Sequence, residues 1–267
     1  MMDFNKQISM KYMMKKYMVY LPVFILGIIA FMPSCSKDKY YMDGGKANPV
    51  FDGTIMQYLE SNPKFDTIAQ IVKIAGMEDV FNNEEITFFA PTDEVIRRTI
   101  GLVNSNVFET RNKLNQELFN ANKDTIKVLS DVPAAIWRKY LMKYMLKGKF
   151  LAKDFPQLDY DLRQLYPGGY YFGYNGDLSN IGVVYNTANN VKYTGYRQLT
   201  ISNVPDISNP SQFTSGAVAT SDVQPKNGAV HVLAVRIRDR IGDAVTHEGS
   251  NNFGLGYEFN REVILSK

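Results

Sequence analysis

The spacing of apolar residues changes near Phe150, and that change narrows the choice of fold class. Before it, apolar residues recur three or four positions apart, as on one face of an amphipathic helix. After it, short segments rich in Tyr, Val, Ile and Thr are separated by Gly, Pro and Asn, which is typical of strands and turns. Helices followed by strands, with no internal repeat, predict one α+β domain.

The part of the chain before Phe150 predicts five helices and one strand. Gly76 and Gly148 fit the ends of two helices, because glycine readily adopts the left-handed conformation that terminates them. Asp52 fits a helix N-cap. The predicted elements are helices near 51–59, 65–75, 93–100, 106–123 and 132–147, and a strand at 86–89.

The part of the chain after Phe150 predicts strands throughout. Asn175-Gly176 is a hairpin-turn signal between two of them. Residues 229–237 predict the clearest strand, and 257–265 predict the last one. The remaining strands are predicted at 170–174, 181–185, 196–201 and 217–220.

A basic and then apolar N-terminal segment leads to the only cysteine of the chain, Cys35. The uncharged run at 18–32 is shorter than the ~20 residues that span a bilayer, and its length suits the apolar region of a signal peptide. The segment resembles a bacterial lipoprotein signal, which implies acyl chains on Cys35. A transmembrane anchor with an incidental cysteine is the alternative.

This segment sets the predicted domain organisation and location. Residues 1–34 are predicted to be a lipoprotein signal peptide, and 35–49 a flexible, polar and glycine-containing tether. Residues 50–267 are predicted to form a single domain with a helical insertion near 101–130. The resemblance implies a protein held by its N-terminal lipid in the outer membrane of a Gram-negative bacterium, on the cell surface.

The charge of the chain argues against nucleic-acid binding. The first 34 residues carry four lysines and one aspartate, a net charge of +3 that equals the net charge of the whole chain. The rest is therefore formally neutral and offers no electrostatic footprint for a phosphate backbone. One cysteine and two histidines exclude a disulfide within the chain and a multi-cysteine or histidine-rich metal site.

Three segments resemble, in this order, the motifs of fasciclin-like domains. They are Thr87–Asp93, Trp137–Leu151 and Asn227–Leu233, and the similarity covers roughly residues 50–240. The resemblance implies a wedge of short, sandwich-like β-sheets with the N-terminal and middle helices on one side. Family members are mostly adhesion or interaction modules and rarely enzymes. Adhesive relatives carry a Tyr-His pair where this chain has Tyr144-Met145, so integrin-type binding is not expected.

Residues of the first and third motifs have structural interpretations. Pro91 presets a turn, and Thr92 is expected to cap the helix that starts at Asp93. Asn227-Gly228 predicts a tight turn that delivers the next strand. His231 lies among apolar residues, so we expect a buried, hydrogen-bonded imidazole and not a catalytic or metal-binding one. The resemblance implies that this imidazole bonds backbone near the first motif.

An aromatic and glycine-rich stretch at 166–174 is the candidate binding surface. Tyr170, Phe172 and Tyr174 share one face if the stretch is a strand, and Tyr166 precedes them. Exposed rings would bind sugars or a protein partner, and the alternative is that they face the core or pair across strands. Basic residues at 138–153 form a second feature, interpreted either as a solvated face or as a site for an anionic lipid or acidic partner.

Catalytic, cofactor and metal motifs are absent from the sequence. It contains no nucleophile elbow, phosphate loop, zinc-protease or calcium-loop pattern. The acidic pairs Asp159/Asp161 and Glu258/Glu262 are interpreted as solvated charges without partners. We therefore predict a non-enzymatic adhesion or interaction module without cofactor, whose partner is an outer-membrane protein complex or an extracellular glycan or protein.

Two finer functions remain open at this level. Resemblance to lipoproteins of this type suggests an accessory subunit of a SusC/SusD-like outer-membrane nutrient-import complex. The alternative is a glycan-binding surface lipoprotein that uses the aromatic stretch at 166–174.

Overall fold

The computed structural model describes residues 48–101, 114–209, 214–241, 244–250 and 253–267. All of them belong to Asn48–Lys267, one of the two units into which the chain divides. The predicted signal peptide, Cys35 and most of the predicted tether lie outside the described residues. Residues 102–113 of the predicted insertion also lie outside them.

Helices occupy the first part of this unit and its end. Thr54 caps the first helix, because its hydroxyl accepts the N–H of Gln57 while the Gln57 side chain accepts the N–H of Thr54. The predicted cap, Asp52, instead forms an ion pair with Lys226. The described helices are α1 (Ile55–Glu60), α2 (Asp66–Ile74), α3 (Glu78–Asn83), α4 (Asp93–Ile100), α5 (Leu114–Asn120), α6 (Ala134–Leu141) and α7 (Tyr257–Ser266).

Strands form one large and one small sheet. The large sheet contains β1 (Ile86–Ala90), β2 (Met145–Lys147), β3 (Gln157–Leu158), β4 (Gly169–Phe172), β5 (Leu178–Tyr185), β6 (Arg197–Asn203), β7 (Thr214–Val223) and β8 (Gly228–Leu233). Its order is β2-β1-β8-β7-β6-β5-β3, and β4 also pairs with β5. The pairs β1/β8 and β3/β5 are parallel, and the others are antiparallel. The small sheet pairs β9 (Arg236–Ile241) with β10 (Ala244–Ser250).

The core lies on both faces of β1, which is buried along its whole length. Phe88 points to the helices and meets the ring of Phe81 in α3 edge to face, with centroids 4.9 Å apart. Phe89 points the other way, to the rings of Phe155 and His231. Because the side chains of a strand alternate between its faces, β1 joins the helical layer to an aromatic cluster under the curled sheet.

The α+β class predicted from the sequence is confirmed, and so are several elements. Helix α4 has the predicted bounds, and Gly76 ends α2 with a φ of +62°. The turn at Asn175-Gly176 joins β4 to β5 as predicted. Residues 229–237, predicted as one strand, belong to β8 and β9 with a break between Leu233 and Arg236.

The helix predicted at 132–147 is shorter than expected. Helix α6 ends at Leu141, one short turn follows at Met142–Tyr144, and β2 begins at Met145. The prediction was wrong because Met145 and Leu146 continue the helical spacing of apolar residues. Pairing with β1 overrides that local pattern, since it satisfies the backbone of a buried segment.

The last predicted strand is a helix. Phe259 and Val263 lie one turn apart on α7 and are both fully buried. The ring of Phe259 lies 5.2 Å from those of Trp137 and Tyr140 in α6. The aromatic and β-branched residues of 257–265 suggested a strand, but their burial follows the i, i+4 spacing of a helix.

Candidate binding site

The side chain of Asn227 joins three parts of the chain. Its Nδ2 donates to the carbonyls of Phe81 and Glu84, both at 3.0 Å, and its Oδ1 accepts the N–H of Ile55 at 2.8 Å. Gly228 follows with a φ of +154°, and a Cβ there would lie 1.8 Å from a carbonyl oxygen of β1. Both residues therefore hold the frame together, and neither faces a binding surface.

The imidazole of His231 is fully buried and held at both ring nitrogens. Nε2 lies 3.0 Å from the carbonyl oxygen of Phe150, and Nδ1 accepts the N–H of Asp222 at 3.2 Å. A neutral ring with its proton on Nε2 fits both contacts, and burial lowers the pKa of His231 below its ordinary 6.5. The imidazole bonds the backbone of Phe150 in the second sequence motif, and the N–H of Phe150 in turn donates to the hydroxyl of Thr87 in the first motif at 2.8 Å. The bonded backbone therefore lies beside the first motif, as the resemblance implied, and that motif also contributes the ring of Phe89.

The first motif is tied to the start of α2. The carboxylate of Asp93 accepts the N–H of Thr67 at 2.8 Å, and its own N–H donates to the carbonyl of Lys64 at 2.9 Å. Thr92 stands at the N-cap position of α4, but its buried hydroxyl makes no cap bond and has no partner among the described residues. The predicted capping role of Thr92 is therefore wrong, although Pro91 and Thr92 are both buried in the frame.

Strand β4 presents two of the candidate aromatic residues to solvent. The side chains of Tyr170 and Phe172 are 45% and 70% exposed. Tyr171, between them, points inward and packs against Phe150 and Phe155. This alternation decides the open question for β4: Tyr170 and Phe172 share an exposed face, and the strand is anchored through the ring between them.

The other two candidate aromatic residues lie outside β4. Tyr174 is half-buried, its hydroxyl donates to the Glu84 carboxylate, and the Lys147 ammonium lies 5.1 Å from its ring centroid. Tyr166 is more than a third exposed and packs edge to face against Tyr193. The structure therefore does not place Tyr170, Phe172 and Tyr174 together on the single strand face that the sequence suggested.

A groove of about 340 Å³ opens beside β4. Its lining is mostly apolar and includes side chains from β2, β4 and the segments that follow them. The side chains are Leu146, Lys147, Phe150, Tyr171, Phe172 and Tyr174. The sequence prediction missed Leu146, Lys147, Phe150 and Tyr171 as groove residues, although the second sequence motif contains the first three of them.

The basic residues of α6 and of the short turn after it are engaged within the unit. Lys139 pairs with Glu262 at 2.6 Å, and Lys143 pairs with Glu258 at 3.1 Å. The prediction that these two glutamates lack partners is therefore wrong. The Lys139 ammonium holds the pKa of Glu262 below its ordinary value, which is a property of a surface ion pair.

Arg138 and Asp159 also have partners within the unit. Arg138 donates to the carbonyls of Ala75 and Gly76 at the end of α2. Asp159 accepts the hydroxyl of Tyr193 at 2.7 Å, so it too is not a charge without a partner. These contacts favour a structural role for the basic residues of α6 over a site for an anionic lipid or acidic partner.

The described residues offer no centre for metal chemistry. No group of three or more His, Cys, Asp or Glu side chains among them is arranged to hold a metal ion. In the same part of the chain, no helix has the length and apolarity needed to cross a membrane.

Comparison with known proteins gives a similarity in structure and none in sequence. The chain matches no protein-family model and no curated protein. It is similar to a solved structure of a FAS1 domain pair from the insect cell adhesion molecule fasciclin I, with 17% sequence identity and a TM-score of 0.41. The match covers 68% of this chain and 49% of that one, so the chain spans about half of its length. That neighbour is a fasciclin domain pair, the family that the three sequence motifs resemble.

Proposed function

We propose that the protein is a non-enzymatic interaction or adhesion module on a cell surface, held in a membrane by lipid on Cys35. The observation that carries this proposal is the exposed pair of rings on β4, Tyr170 and Phe172. Rigid aromatic side chains on a strand provide contact area at a low cost in conformational entropy, and aromatic residues are enriched at the centres of protein interfaces.

The proposed partner is an outer-membrane protein assembly, with this chain as an accessory subunit of a SusC/SusD-like nutrient-import complex. Lipid on Cys35 would confine the domain to the membrane surface, where a membrane partner is present at high effective concentration. A standard interface buries ~1,600 Å² in total. The two β4 rings would supply anchors within such an area.

A pull-down from the native outer membrane tests this function. The intact tagged lipoprotein is extracted in mild detergent, and the proteins that co-purify are identified by mass spectrometry. We expect a barrel protein at equal stoichiometry with the wild type, and at least tenfold less of it with Tyr170→Ala/Phe172→Ala, since each anchor is worth ~1–2 kcal/mol.

A matched control comes from rings elsewhere on the surface. Phe119 on α5 and Tyr257 on α7 are each 70% exposed. Phe119→Ala/Tyr257→Ala removes similar exposed area and should leave recovery of the partner unchanged. A lipoprotein that purifies alone, or equal loss in both double variants, would contradict the proposed function.

Glycan binding is the second candidate, because the same two rings could stack on sugar faces and the Tyr170 hydroxyl adds a polar tip. Retention on a gel of immobilised polysaccharide measures it. Tyr170→Ala/Phe172→Ala should abolish retention while the thermal unfolding midpoint stays the same. Equal retention of wild type and variant would remove this candidate.

A further inference from the structure

The large sheet curls until its edge strands β2 and β4 face one another across a seam. The N–H of Tyr174, just after β4, donates to the carbonyl of Met145 in β2 at 2.8 Å. Among the described residues no other backbone hydrogen bond joins these two strands, and β4 is paired only with β5. The seam is therefore closed at one end and open along the rest.

The backbone of Lys147 points into this seam. Gly148 follows β2 and lies opposite Glu85 when the antiparallel pairing of β2 with β1 is extended by one residue. Its N–H donates to the carbonyl of Glu85. Since bonded and non-bonded pairs alternate in an antiparallel ladder, Leu146 is the next residue bonded to β1. The N–H and C=O of Lys147, between them, are directed away from β1.

The backbone of Phe172 points into the seam from the other side. Gly173 donates its N–H to the carbonyl of Asp177, across the β4–β5 hairpin. By the same alternation Tyr171 is bonded to β5, whereas the N–H and C=O of Phe172 are directed away from it. A ladder continued from the Tyr174–Met145 bond would next pair Phe172 with Lys147, and that pair is not formed in the described structure.

The groove between these strands has an apolar floor and a cationic rim. The rings of Phe150 and Tyr171 pack with their centroids 5.9 Å apart and line it from below. The Lys147 side chain is exposed, and no carboxylate of the described residues lies within 4.0 Å of its ammonium group. Two outward-facing strand edges, an apolar floor and one cation are complementary to an extended peptide that carries an apolar side chain and a carboxylate.

We propose that the seam binds an extended segment of a partner protein by strand addition. The segment pairs its backbone with the N–H and C=O of Lys147 and Phe172. It places one aromatic or aliphatic side chain over Phe150 and Tyr171, and a carboxylate beside the Lys147 ammonium. A sugar could stack on the rings but has no peptide backbone to pair with the strand edges. This inference rests on the proposed function and adds the class of partner that the protein binds.

Selection from a phage-displayed library of random octapeptides tests the seam on the complete lipoprotein. We expect enriched peptides with alternating apolar residues and at least one acidic residue. Methylation of the peptide backbone nitrogens should weaken binding at least tenfold, because it removes strand hydrogen bonds and keeps every side chain. No enrichment over a column without protein, or methylated peptides that bind equally, would overturn the proposal.

Substitutions at Lys147 separate its backbone from its side chain. Lys147→Pro removes the seam-facing N–H and is compatible with an edge strand, so it should fold and lose at least tenfold in peptide affinity. Lys147→Ala keeps that N–H and should lose only the preference for acidic peptides. Leu146→Pro removes an N–H bonded to β1 and should unfold the domain, which checks the assignment of the two faces.

Hydrogen exchange and recovery of the membrane partner provide two further tests of the seam. If Lys147→Pro does not fold, hydrogen exchange in the wild type replaces it: the amides of Lys147 and Phe172 must slow when an enriched peptide binds, and unchanged exchange overturns the proposal. Loss of the membrane partner in Tyr170→Ala/Phe172→Ala but not in Lys147→Pro would keep the proposed function and overturn the role of the seam.

Discussion

At the scale of single residues, the buried imidazole of His231 couples folding to pH. Burial lowers its pKa in the folded state, although the Phe150 carbonyl and the Asp222 carboxylate oppose that shift. The unfolded chain, with a pKa near 6.5, therefore binds more protons as the pH falls below that value. The contribution of His231 to the free energy of unfolding is complete above pH 6.5 and is lost as the pH drops toward the lower folded-state pKa.

Urea unfolding of the wild type and His231→Gln between pH 7.5 and 5.5 measures this coupling. The wild type should lose stability on acidification more steeply than the variant, by at most about 1.4 kcal/mol per pH unit for one proton. Titrations of the carboxylates are common to both proteins and cancel in the comparison. Parallel stability curves would show that His231 does not carry the coupling.

Gly228 is the residue at which adding a single methyl group should lower the free energy of unfolding most. Its φ of +154° disfavours any other residue, and a Cβ would lie 1.8 Å from the carbonyl oxygen of Ile86. That oxygen cannot move away without breaking the parallel pairing of β1 with β8. Gly228→Ala should lower the free energy of unfolding by about 3 kcal/mol or more. Gly76→Ala is the control, because its φ is also positive but no atom lies within 4 Å of the added Cβ.

The comparison of these two glycines isolates the clash from the backbone strain. Gly76→Ala should cost only about 1–2 kcal/mol, the price of a left-handed conformation for a residue with a Cβ. Chemical denaturation of both variants gives the two values. Equal losses would mean that the strands at Gly228 separate more easily than the register implies.

At the scale of elements, α7 packs against α6 through the ring of Phe259. Phe259 is fully buried between Trp137 and Tyr140, and each ion pair at the edge of this contact has one partner that is more than half exposed. Phe259→Ala should therefore cost about 3–5 kcal/mol, whereas Leu265→Ala, on the exposed face of the same helix, should change stability by no more than ~0.5 kcal/mol. Trp137 is the only tryptophan of the chain, so its fluorescence reports unfolding in both variants.

If ion pairs, and not the Phe259 ring, held α7 to α6, the variants would lose stability in a different order. If the Lys139–Glu262 and Lys143–Glu258 pairs held α7, then Glu258→Gln/Glu262→Gln would destabilise the domain more than Phe259→Ala. The expected loss for the double glutamine variant is below about 2 kcal/mol, because each pair keeps one partner in contact with solvent and such ion pairs are individually worth ~0–1 kcal/mol.

Elements were predictable where a local signal coincides with tertiary structure. Helix α4 has both an acidic first turn and a glycine at its end, and its predicted bounds match the structure. Strand β2 has no such signal: Met145 and Leu146 continue a helical pattern, and only the partner strand β1, some 60 residues earlier in the chain, makes them a strand. Helix α7 shows the opposite error, since the i, i+4 spacing of Glu258 and Glu262 was visible in the sequence.

At the scale of the whole molecule, the candidate site was only half predictable. The aromatic stretch of β4 stands out in composition, so Tyr170 and Phe172 could be proposed from the sequence. The other side of the groove belongs to β2, which was predicted to be a helix. A seam between strands that are distant in the chain depends on how the sheet curls, and no local pattern encodes it.

The proposed attachment to a membrane is a property of the whole chain, and it would decide where the exposed rings of β4 and the seam can act. If Cys35 carries two or more acyl chains, each buried CH₂ contributes ~0.8 kcal/mol and the protein stays anchored, whereas a transmembrane anchor would act without the cysteine. In detergent phase separation the wild type should enter the detergent phase, with mass spectrometry showing acyl groups on Cys35 and no residues before it. A wild-type protein that enters the detergent phase with residues 1–34 still attached and no acyl group on Cys35 would favour the transmembrane alternative, because the apolar run at 18–32 would then be the anchor.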